Sequence, residues 1–249
     1  NWAISLNAMQ KKGISFKNII DAYTSADETL IKQLAKKSPL HEVVLDMVAK
    51  HHPNPVQAQK YRVPWLWKGD LESADGQSLI NCDPNGKVFF VITKVVVDPQ
   101  AGEICGGRLF SGTLHKGDEL YLNLAKMGTR AQQIFIYNGA KREIVDNVPP
   151  GNIIGIAGLR AGMPGETVTT GGKNVPFEEI KHIFDPVVTK AIEAKKPGDL
   201  PKLIEVLRQV QKEDPSIKIE IHEETGEHLM HGMGELHLEV IENRIKREK

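Results

Sequence analysis

The sequence predicts a multidomain protein with a helical N-terminal segment, an all-β barrel, and an α+β ferredoxin-like domain that lacks its last strand. Three observations predict this order. Apolar residues recur at helical spacing before residue 52, and short apolar runs separated by turn residues fill the middle. Strand and helix patterns then alternate after residue 182. We expect the three parts to span residues 1–66, 67–175 and 176–249.

Composition sets broad limits on location and partners. The 249 residues are 40% hydrophobic and 26% charged, with 32 basic against 32 acidic residues, so net charge neither supports nor excludes a nucleic-acid partner. Cys82 and Cys105 form no CxxC pair, and no leader or membrane-length apolar run is evident, so we expect a cytoplasmic protein. Because the chain starts at Asn1 and ends within a helical pattern, we also expect a piece of a longer protein.

Residues 2–52 carry three segments with helical periodicity, each with one apolar face. The apolar residues are Trp2, Leu6 and Met9 in the first segment, Leu30, Ile31 and Leu34 in the second, and Leu40, Val43, Val44, Met47 and Val48 in the third. We expect these faces to belong to a larger unit, since about 50 residues fold alone only marginally; a small helical subdomain is the alternative. Pro53, Pro55 and Pro64 are expected to exclude a continuing helix before the barrel.

Short strands separated by turn sequences predict the barrel. The expected strands are 88–97, 108–114, 119–124, 131–137, 153–158 and 166–169. At the centre, 108–114 and 119–124 are predicted to pair as a hairpin across the turn at Gly117. Gly112 leaves one position without a side chain, which permits a bulge or the close approach of another backbone.

The last part has the order β-α-β-β-α, which is a split βαβ unit of the ferredoxin-like type without its final strand. We expect strands at 187–194, 217–221 and up to Met230, with a turn at Thr225-Gly226. One helix is capped by Asp199, and another begins near Gly234. Their apolar faces comprise Leu200, Leu203, Leu207 and Val210 in the first helix and Leu238, Ile241 and Ile245 in the second.

No nucleotide-binding motif occurs in the sequence. Gly102, Gly107, Gly112 and Gly117 show the spacing of a phosphate loop, but none is followed by the Lys-Ser or Lys-Thr that such a loop needs. The run 83–86 (Asp-Pro-Asn-Gly) matches a loose GTPase switch pattern, yet it is first a β-turn sequence and we assign it to a turn. No catalytic constellation appears, so we predict a chain that is inactive by itself and holds no cofactor.

One stretch of the barrel combines cations with aromatic residues. Residues 120–142 contain no acid but carry Lys126, Arg130, Lys141 and Arg142 together with Tyr121, Phe135 and Tyr137. Lys and Arg held by strands can neutralise RNA phosphates. The alternative is a solvated barrel face whose aromatic residues lie in the core.

Three histidines near the C-terminus raise the question of a metal site. His228, His231 and His237 lie on a strand and in a helix, with Glu235 nearby and no cysteine near them. Their spacing does not imply tetrahedral convergence, and no nucleophile accompanies them. We therefore predict surface or interdomain roles and no metal.

Four stretches resemble one family. Three of them resemble the barrel of domain II in translational GTPases: GRLFSGTLHKGDEL (107–120), GNIIGIAGL (151–159) and PGETV (164–168). LHEVVLDMVAKHHPNPVQAQKYR (40–62) is similar to the last helix of the GTPase domain and its linker in the elongation factor 2 family, the ribosomal translocases. TGEHLMHGMGELHLEVIENRIKRE (225–248) resembles domain III of the same family and of elongation factor G.

The resemblance implies that the whole protein binds GTP and magnesium and couples GTP hydrolysis to the movement of tRNA and mRNA. This chain would supply the end of the GTPase domain, domain II and most of domain III. The implied partners are the ribosome, through small-subunit rRNA and proteins, and the GTPase domain of the whole protein, with neither a membrane nor DNA. A stand-alone RNA- or protein-binding module and a fragment of another translational or spliceosomal GTPase are the alternatives.

Two sets of site residues are expected, the first from the charge of the barrel stretch, which the resemblance supports, and the second from the resemblance. The RNA-contact candidates are Arg108, Lys126, Arg130, Lys141 and Arg142. The candidates for interdomain or ribosome contact are Gly234, Glu235 and His237.

Overall fold

The computed structural model describes residues 13–37, 39–98, 101–139, 141–178, 186–194, 196–221 and 228–247. By compactness the chain divides into two units, Asn1–Asn54 and Pro55–Lys249.

The first unit contains helices α1 (Phe16–Thr24), α2 (Glu28–Lys37) and α3 (Leu40–His51). Ser15 begins α1 with a capping box, because its hydroxyl accepts from the Asn18 backbone N–H while the Asn18 side chain accepts from the Ser15 N–H. Large apolar side chains remain exposed in this unit, among them Leu40 at 77% and Leu45 at 65%. The helix expected around Trp2, Leu6 and Met9 lies outside the described residues.

The second unit opens with helices α4 (Pro55–Leu66) and α5 (Ala74–Asn81). The expectation that Pro53, Pro55 and Pro64 exclude a continuing helix holds where α3 ends at His51, but it is wrong for Pro64, which lies inside α4. Pro55 occupies the first turn, where its missing N–H costs nothing, and Pro64 lies near the other end, where it removes one hydrogen bond. Packing compensates for that missing bond, since Val63 is fully buried and the Gln59 amide donates to the carbonyls of Leu79 and Phe110.

An antiparallel β domain follows these helices. Its strands are β1 (Phe89–Asp98), β2 (Gly102–Ser111), β3 (Leu114–His115), β4 (Glu119–Leu122), β5 (Met127–Arg130), β6 (Gln133–Asn138), β7 (Lys141–Val145), β8 (Asn147–Val148), β9 (Ile153–Ala157) and β10 (Thr167–Thr169). Eight of them form one sheet in the order β5-β4-β10-β1-β2-β9-β6-β7, and β3 pairs with β8. Strands β5 and β7 were not expected from the sequence.

The central hairpin expected between 108–114 and 119–124 is wrong. Strand β2 pairs with β1 and β9, whereas β4 pairs with β5 and β10. Gly112 ends β2 with a φ of 72°, and a Cβ there would lie 2.5 Å from the Val88 nitrogen. The close backbone approach expected at this glycine is therefore confirmed. The hairpin does not form because β1 and β9 occupy both edges of β2.

The β domain buries both faces of its first two strands. Phe90, Ile92 and Leu109 point into the inner core, which the sheet encloses by curling. Phe89 and Phe110 point to the outer face, where they pack with residues of α4, α5 and the segment after β10. This second cluster comprises Val63, Trp67, Leu79, Phe89, Val91, Phe110 and Phe177. Burial of one such aromatic side chain contributes about 2–3 kcal/mol, so the cluster fixes α4 firmly on the sheet.

The last part folds as β11 (Val188–Ile192), α6 (Leu200–Glu213), β12 (Lys218–Ile221), β13 (His228–Gly232) and α7 (Glu235–Arg247). The sheet order is β11-β13-β12, with both pairs antiparallel. The apolar faces of the two helices cover one side of this sheet, with Leu207, Leu238 and Ile241 buried. The expected order β-α-β-β-α is found, and the expected turn at Thr225-Gly226 lies outside the described residues.

Asp199 occupies the cap position of α6, but its side chain makes no capping hydrogen bond. A 3₁₀ turn (Pro197–Asp199) precedes the helix and gives Asp199 a helical backbone, with φ of −89° and ψ of −7°. Side-chain capping needs an extended backbone at this position, so the cap expected from the sequence is not formed.

Candidate functional site

The five RNA-contact candidates lie on three strands of the sheet and in one turn. Lys126 and Arg130 lie in and beside β5, at one end of the strand order, whereas Lys141 and Arg142 lie on β7 at the other end. Arg108 lies on β2, between the two groups. The acid-free stretch therefore supplies cations to β5, to the turn before it and to β7, strands that are not neighbours in the sheet.

Arg142 is held by contacts within the β domain. Both of its terminal nitrogens donate to the Asp98 carboxylate, one of them at 3.1 Å, and its guanidinium lies 5.4 Å from the centre of the Phe135 ring. The hydrogen bonds with Asp98 raise the pKa of Arg142 above its usual value. Such a bidentate pair fixes the ends of β1 and β7 and leaves Arg142 poorly placed to bind a phosphate.

Three of the other candidates differ in their exposure and in their contacts within the protein. Arg130 is exposed and donates from Nε to the Gly117 carbonyl at 2.7 Å, which leaves its terminal nitrogens free to reach outward. Lys126 is exposed in the turn between β4 and β5, with a φ of 54°. Arg108 is half-buried, and its guanidinium lies 5.5 Å above the Phe110 ring.

The candidates of the last part lie where α7 begins. Gly234 has open space around it and Glu235 is exposed, so both are accessible. His237 is engaged, because its Nδ1 accepts from the Met233 N–H at 3.4 Å and its Nε2 lies 2.9 Å from Asp214 Oδ2. This pattern assigns the ring proton to Nε2, which donates to Asp214.

Asp214 is the partner that fixes His237. Its carboxylate also accepts from the backbone N–H and the hydroxyl of Ser216. Burial raises the pKa of Asp214, but the hydrogen bonds from Ser216 and His237 outweigh burial and leave that pKa below its usual value. The carboxylate is therefore charged near neutral pH and orients the imidazole.

The two residues before Asp214 connect the last part to the β domain, and sequence reasoning missed them. Lys212 Nζ donates to Glu103 Oε1 at 2.6 Å and to the Arg160 carbonyl at 3.3 Å. Glu213 Oε1 accepts from the Val97 N–H at 2.6 Å, and Glu213 Oε2 accepts from Arg244 on α7. We call Lys212, Glu213 and Asp214 the α6 clip. Its run of charges at a helix end is the only signal for it in the sequence.

The three histidines considered for a metal have separate neighbours. His228 is fully buried, His231 lies 2.8 Å from the Thr189 hydroxyl, and His237 contacts Asp214. Within the described residues, no group of three or more His, Cys, Asp or Glu side chains has the arrangement of a metal site.

The two cysteines are poorly suited to act as nucleophiles. Burial raises the pKa of the Cys105 thiol to about 12, with Glu103 adding to the shift and Lys212 opposing it. Burial also raises the pKa of Cys82, against the opposing charge of Arg108. Both thiols are therefore protonated at neutral pH.

Two family models match the chain. Residues 102–169 match elongation factor Tu domain 2, and residues 183–249 match elongation factor G domain III. The first match covers the β domain from β2 to β10, and the second covers the α/β part. Together with the fold, they define the chain as a segment of a multidomain translational GTPase.

Comparison with curated proteins narrows this class. The chain is 53% identical over its whole length to elongation factor 2 of Archaeoglobus fulgidus, of which it covers 34%, and 53% identical to that of Thermococcus kodakarensis, of which it covers 33%. Over 98% of its length it is 55% identical to elongation factor 2 of Methanococcus vannielii. The chain therefore belongs to the elongation factor 2 family, and it spans about a third of the length of the curated relatives it matches.

The helices in the described part of the chain are all too short or too polar to cross a lipid bilayer.

Proposed function

We propose that the chain acts as the part of an elongation factor 2 that carries ribosome-contacting and interdomain surfaces. The whole protein then binds GTP and magnesium and couples GTP hydrolysis to the movement of tRNA and mRNA. The observation that carries this proposal is 53% identity over the full chain with proteins named elongation factor 2, through both the β domain and the α/β part. The comparisons do not favour a stand-alone binding module.

The proposal includes the division expected from the sequence: the end of a GTPase domain with its linker (1–66), domain II (67–175) and most of domain III (176–249). Helix α4 supports a modification of the first boundary. Gln59 and Val63 bind it to the β domain, and the compact second unit begins at Pro55. We therefore assign α4 to the body that contains domain II. A cytoplasmic location stays a prediction.

The exposed cations Lys126, Arg130 and Lys141 support contact with small-subunit rRNA. Lys126 and Lys141 have no ion pair in the part of the chain that the structure describes, so neither must break a contact to bind a phosphate. Arg142 remains a weaker candidate because Asp98 already occupies it. Contacts of this kind recognise the RNA backbone and its shape, without base specificity.

Ribosome binding under varied salt tests this RNA surface. We expect Lys126→Glu with Arg130→Glu, and separately Lys141→Glu, to weaken co-sedimentation of the chain with ribosomes. The slope of log affinity against log salt should fall by about 1 for each phosphate that the variant no longer neutralises. Lys202→Glu, an exposed position on α6, is the matched control. Unchanged affinity and slope in both charge-reversed variants would contradict the surface.

A chimera tests the proposed function as a whole. The elongation factor 2 of Archaeoglobus fulgidus can carry this chain in place of the third of its length that the chain matches. We expect the chimera to support translocation on ribosomes of that organism. A chimera that melts at the same temperature as the natural protein and binds GTP, yet does not translocate, would overturn the proposal.

Gly234, Glu235 and His237 support a second contact surface at the start of α7. Gly234 and Glu235 face open space, and His237 is tied through Asp214 to the end of α6. A partner that binds here therefore contacts residues that are linked, through Asp214, to the α6 clip, and the α6 clip contacts the β domain. This arrangement supports a role in coupling between domains.

A further inference from the structure

The outer face of the β sheet carries an open groove of about 570 Å³, with the Arg142–Asp98 pair in its wall. Its position follows from strand register. Gly106 on β2 lies opposite Lys94 on β1 and Gly155 on β9. Directly paired residues point to the same face of a sheet, so two glycines in adjacent strands leave a depression there.

The two glycines differ in what covers them. A Cβ on Gly155 would lie 3.0 Å from the Tyr137 ring, so that ring already lies over Gly155. A Cβ on Gly106 would meet only the Lys94 carbonyl oxygen, at 3.5 Å. The open part of the groove is therefore a pocket above Gly106 with the Tyr137 ring as one wall. We call it the Gly106 groove.

Three large apolar side chains in the groove walls are exposed. Ile153, Tyr137 and Val96 expose 69%, 45% and 41% of their surface, and all three line the groove. Contiguous exposed apolar side chains around a depression are typical of a protein-binding surface, where one buried anchor side chain supplies much of the affinity.

The charge at the rim is positive. Lys94 lines the groove, is exposed and has no ion pair among the described residues. Arg142 also lines the groove, but Asp98 neutralises it. The surface therefore offers one available cation beside an apolar pocket, and this charge complements an acidic partner.

We propose that the Gly106 groove binds an extended, acidic segment of a partner protein, which places one large apolar side chain above Gly106 and a carboxylate near Lys94. RNA is the less suitable occupant. Its binding draws on a row of available cations, whereas this groove has only Lys94 available and carries exposed aliphatic and aromatic side chains in its walls. The inference is independent of the RNA surface at Lys126, Arg130 and Lys141.

The test uses a synthetic acidic nonapeptide with one central phenylalanine, titrated into the isotope-labelled chain and followed by NMR. We expect the amide signals of Gly106, Gly155 and Tyr137 to shift. Gly106→Val places a side chain in the pocket, where its Cβ would make only an ordinary contact with the Lys94 carbonyl oxygen, and it should weaken binding about 10-fold or more. Gly128→Val, on β5 in open space, is the matched control and should bind as the natural chain does.

A second variant of the chain and a second peptide test the same groove independently of Gly106→Val. Lys94→Glu should also weaken binding, and it tests the groove even if Gly106→Val misfolds. A peptide with alanine in place of the phenylalanine should not bind detectably. Equal binding by Gly106→Val or Lys94→Glu would overturn the proposal, as would shifts confined to another surface. Binding of nonaadenylate RNA at the groove in place of the peptide would likewise replace our assignment by an RNA site.

Discussion

At the scale of single residues, Asp214 has a defined electrostatic role. Its pKa in the folded protein lies below its ordinary value of 3.8, because the hydrogen bonds from Ser216 and His237 outweigh burial. A carboxyl group with a lowered folded pKa contributes stability above its unfolded pKa and loses that contribution as the pH falls through its folded pKa. Asp214 therefore stabilises the protein at neutral pH and less so in acid.

Asp214→Asn should lower the free energy of unfolding by about 1 kcal/mol at neutral pH, since the side chain is partly solvent-screened. The difference from the natural chain should stay constant above about pH 5 and shrink below about pH 4. Urea denaturation across this pH range measures it. Asp199→Asn, at the other end of α6 and without a capping bond, is the matched control and should leave the free energy of unfolding close to that of the natural chain. A difference for Asp214→Asn that grows in acid would contradict the argument.

Single residues also show what cannot be predicted from the sequence, namely the partner of a charged side chain that lies far along the chain. The stretch 120–142 predicted cations on a surface, and Lys126, Arg130 and Lys141 are exposed. Arg142 carries the same charge in the same stretch, but Asp98, 44 positions earlier, holds it. A partner at that distance is fixed by the pairing of strands, which residue type and spacing do not reveal.

At the scale of elements, local patterns predicted the α/β part better than the β domain. Alternation around Ile219 and the apolar stripe of α7 depend on neighbours a few residues away. The expected hairpin at Gly117 failed because β2 and β4 each found partners far along the chain. Strands β5 and β7 were missed because their exposed, polar sequences lack a buried alternation.

Pro64 gives a prediction for helix α4. It lies inside the helix and removes the hydrogen bond that residue 64 would otherwise donate to the Lys60 carbonyl. Pro64→Ala should raise the free energy of unfolding by about 1–2 kcal/mol, because the restored bond exceeds the entropy gained by the unfolded chain. Pro55→Ala is the matched control, and no gain is expected in the first turn. If Pro64→Ala and the natural chain have equal midpoints of urea denaturation, packing around α4 already compensates for the missing hydrogen bond, and the expected gain is contradicted.

At the scale of the whole molecule, the α6 clip holds the last part of the chain against the β domain. Lys212 contacts Glu103 and the Arg160 carbonyl, and the largely buried carboxylate of Glu213 joins the Val97 N–H to Arg244. A hydrogen-bonded charge pair of this kind is costly to break from one side, because the remaining charge is left without its partner. The clip should therefore make the two parts unfold together.

Lys212→Ala combined with Glu213→Gln should separate that unfolding into two transitions. All three tryptophans lie at or before Trp67, so their fluorescence reports the helical segment and the β domain, whereas far-ultraviolet circular dichroism also reports α6 and α7. In the natural chain the thermal transitions seen by the two probes should coincide, and in the variant they should differ by several degrees. Lys202→Ala, elsewhere on α6, should leave them coincident. Transitions that still coincide in the double variant would mean that apolar contacts hold the parts together. Separate transitions would mean that the clip supplies the coupling between the two parts, which we expect to be about 2–4 kcal/mol. A coupling free energy of that size is small enough for a partner that binds at α7 to shift the last part relative to the β domain.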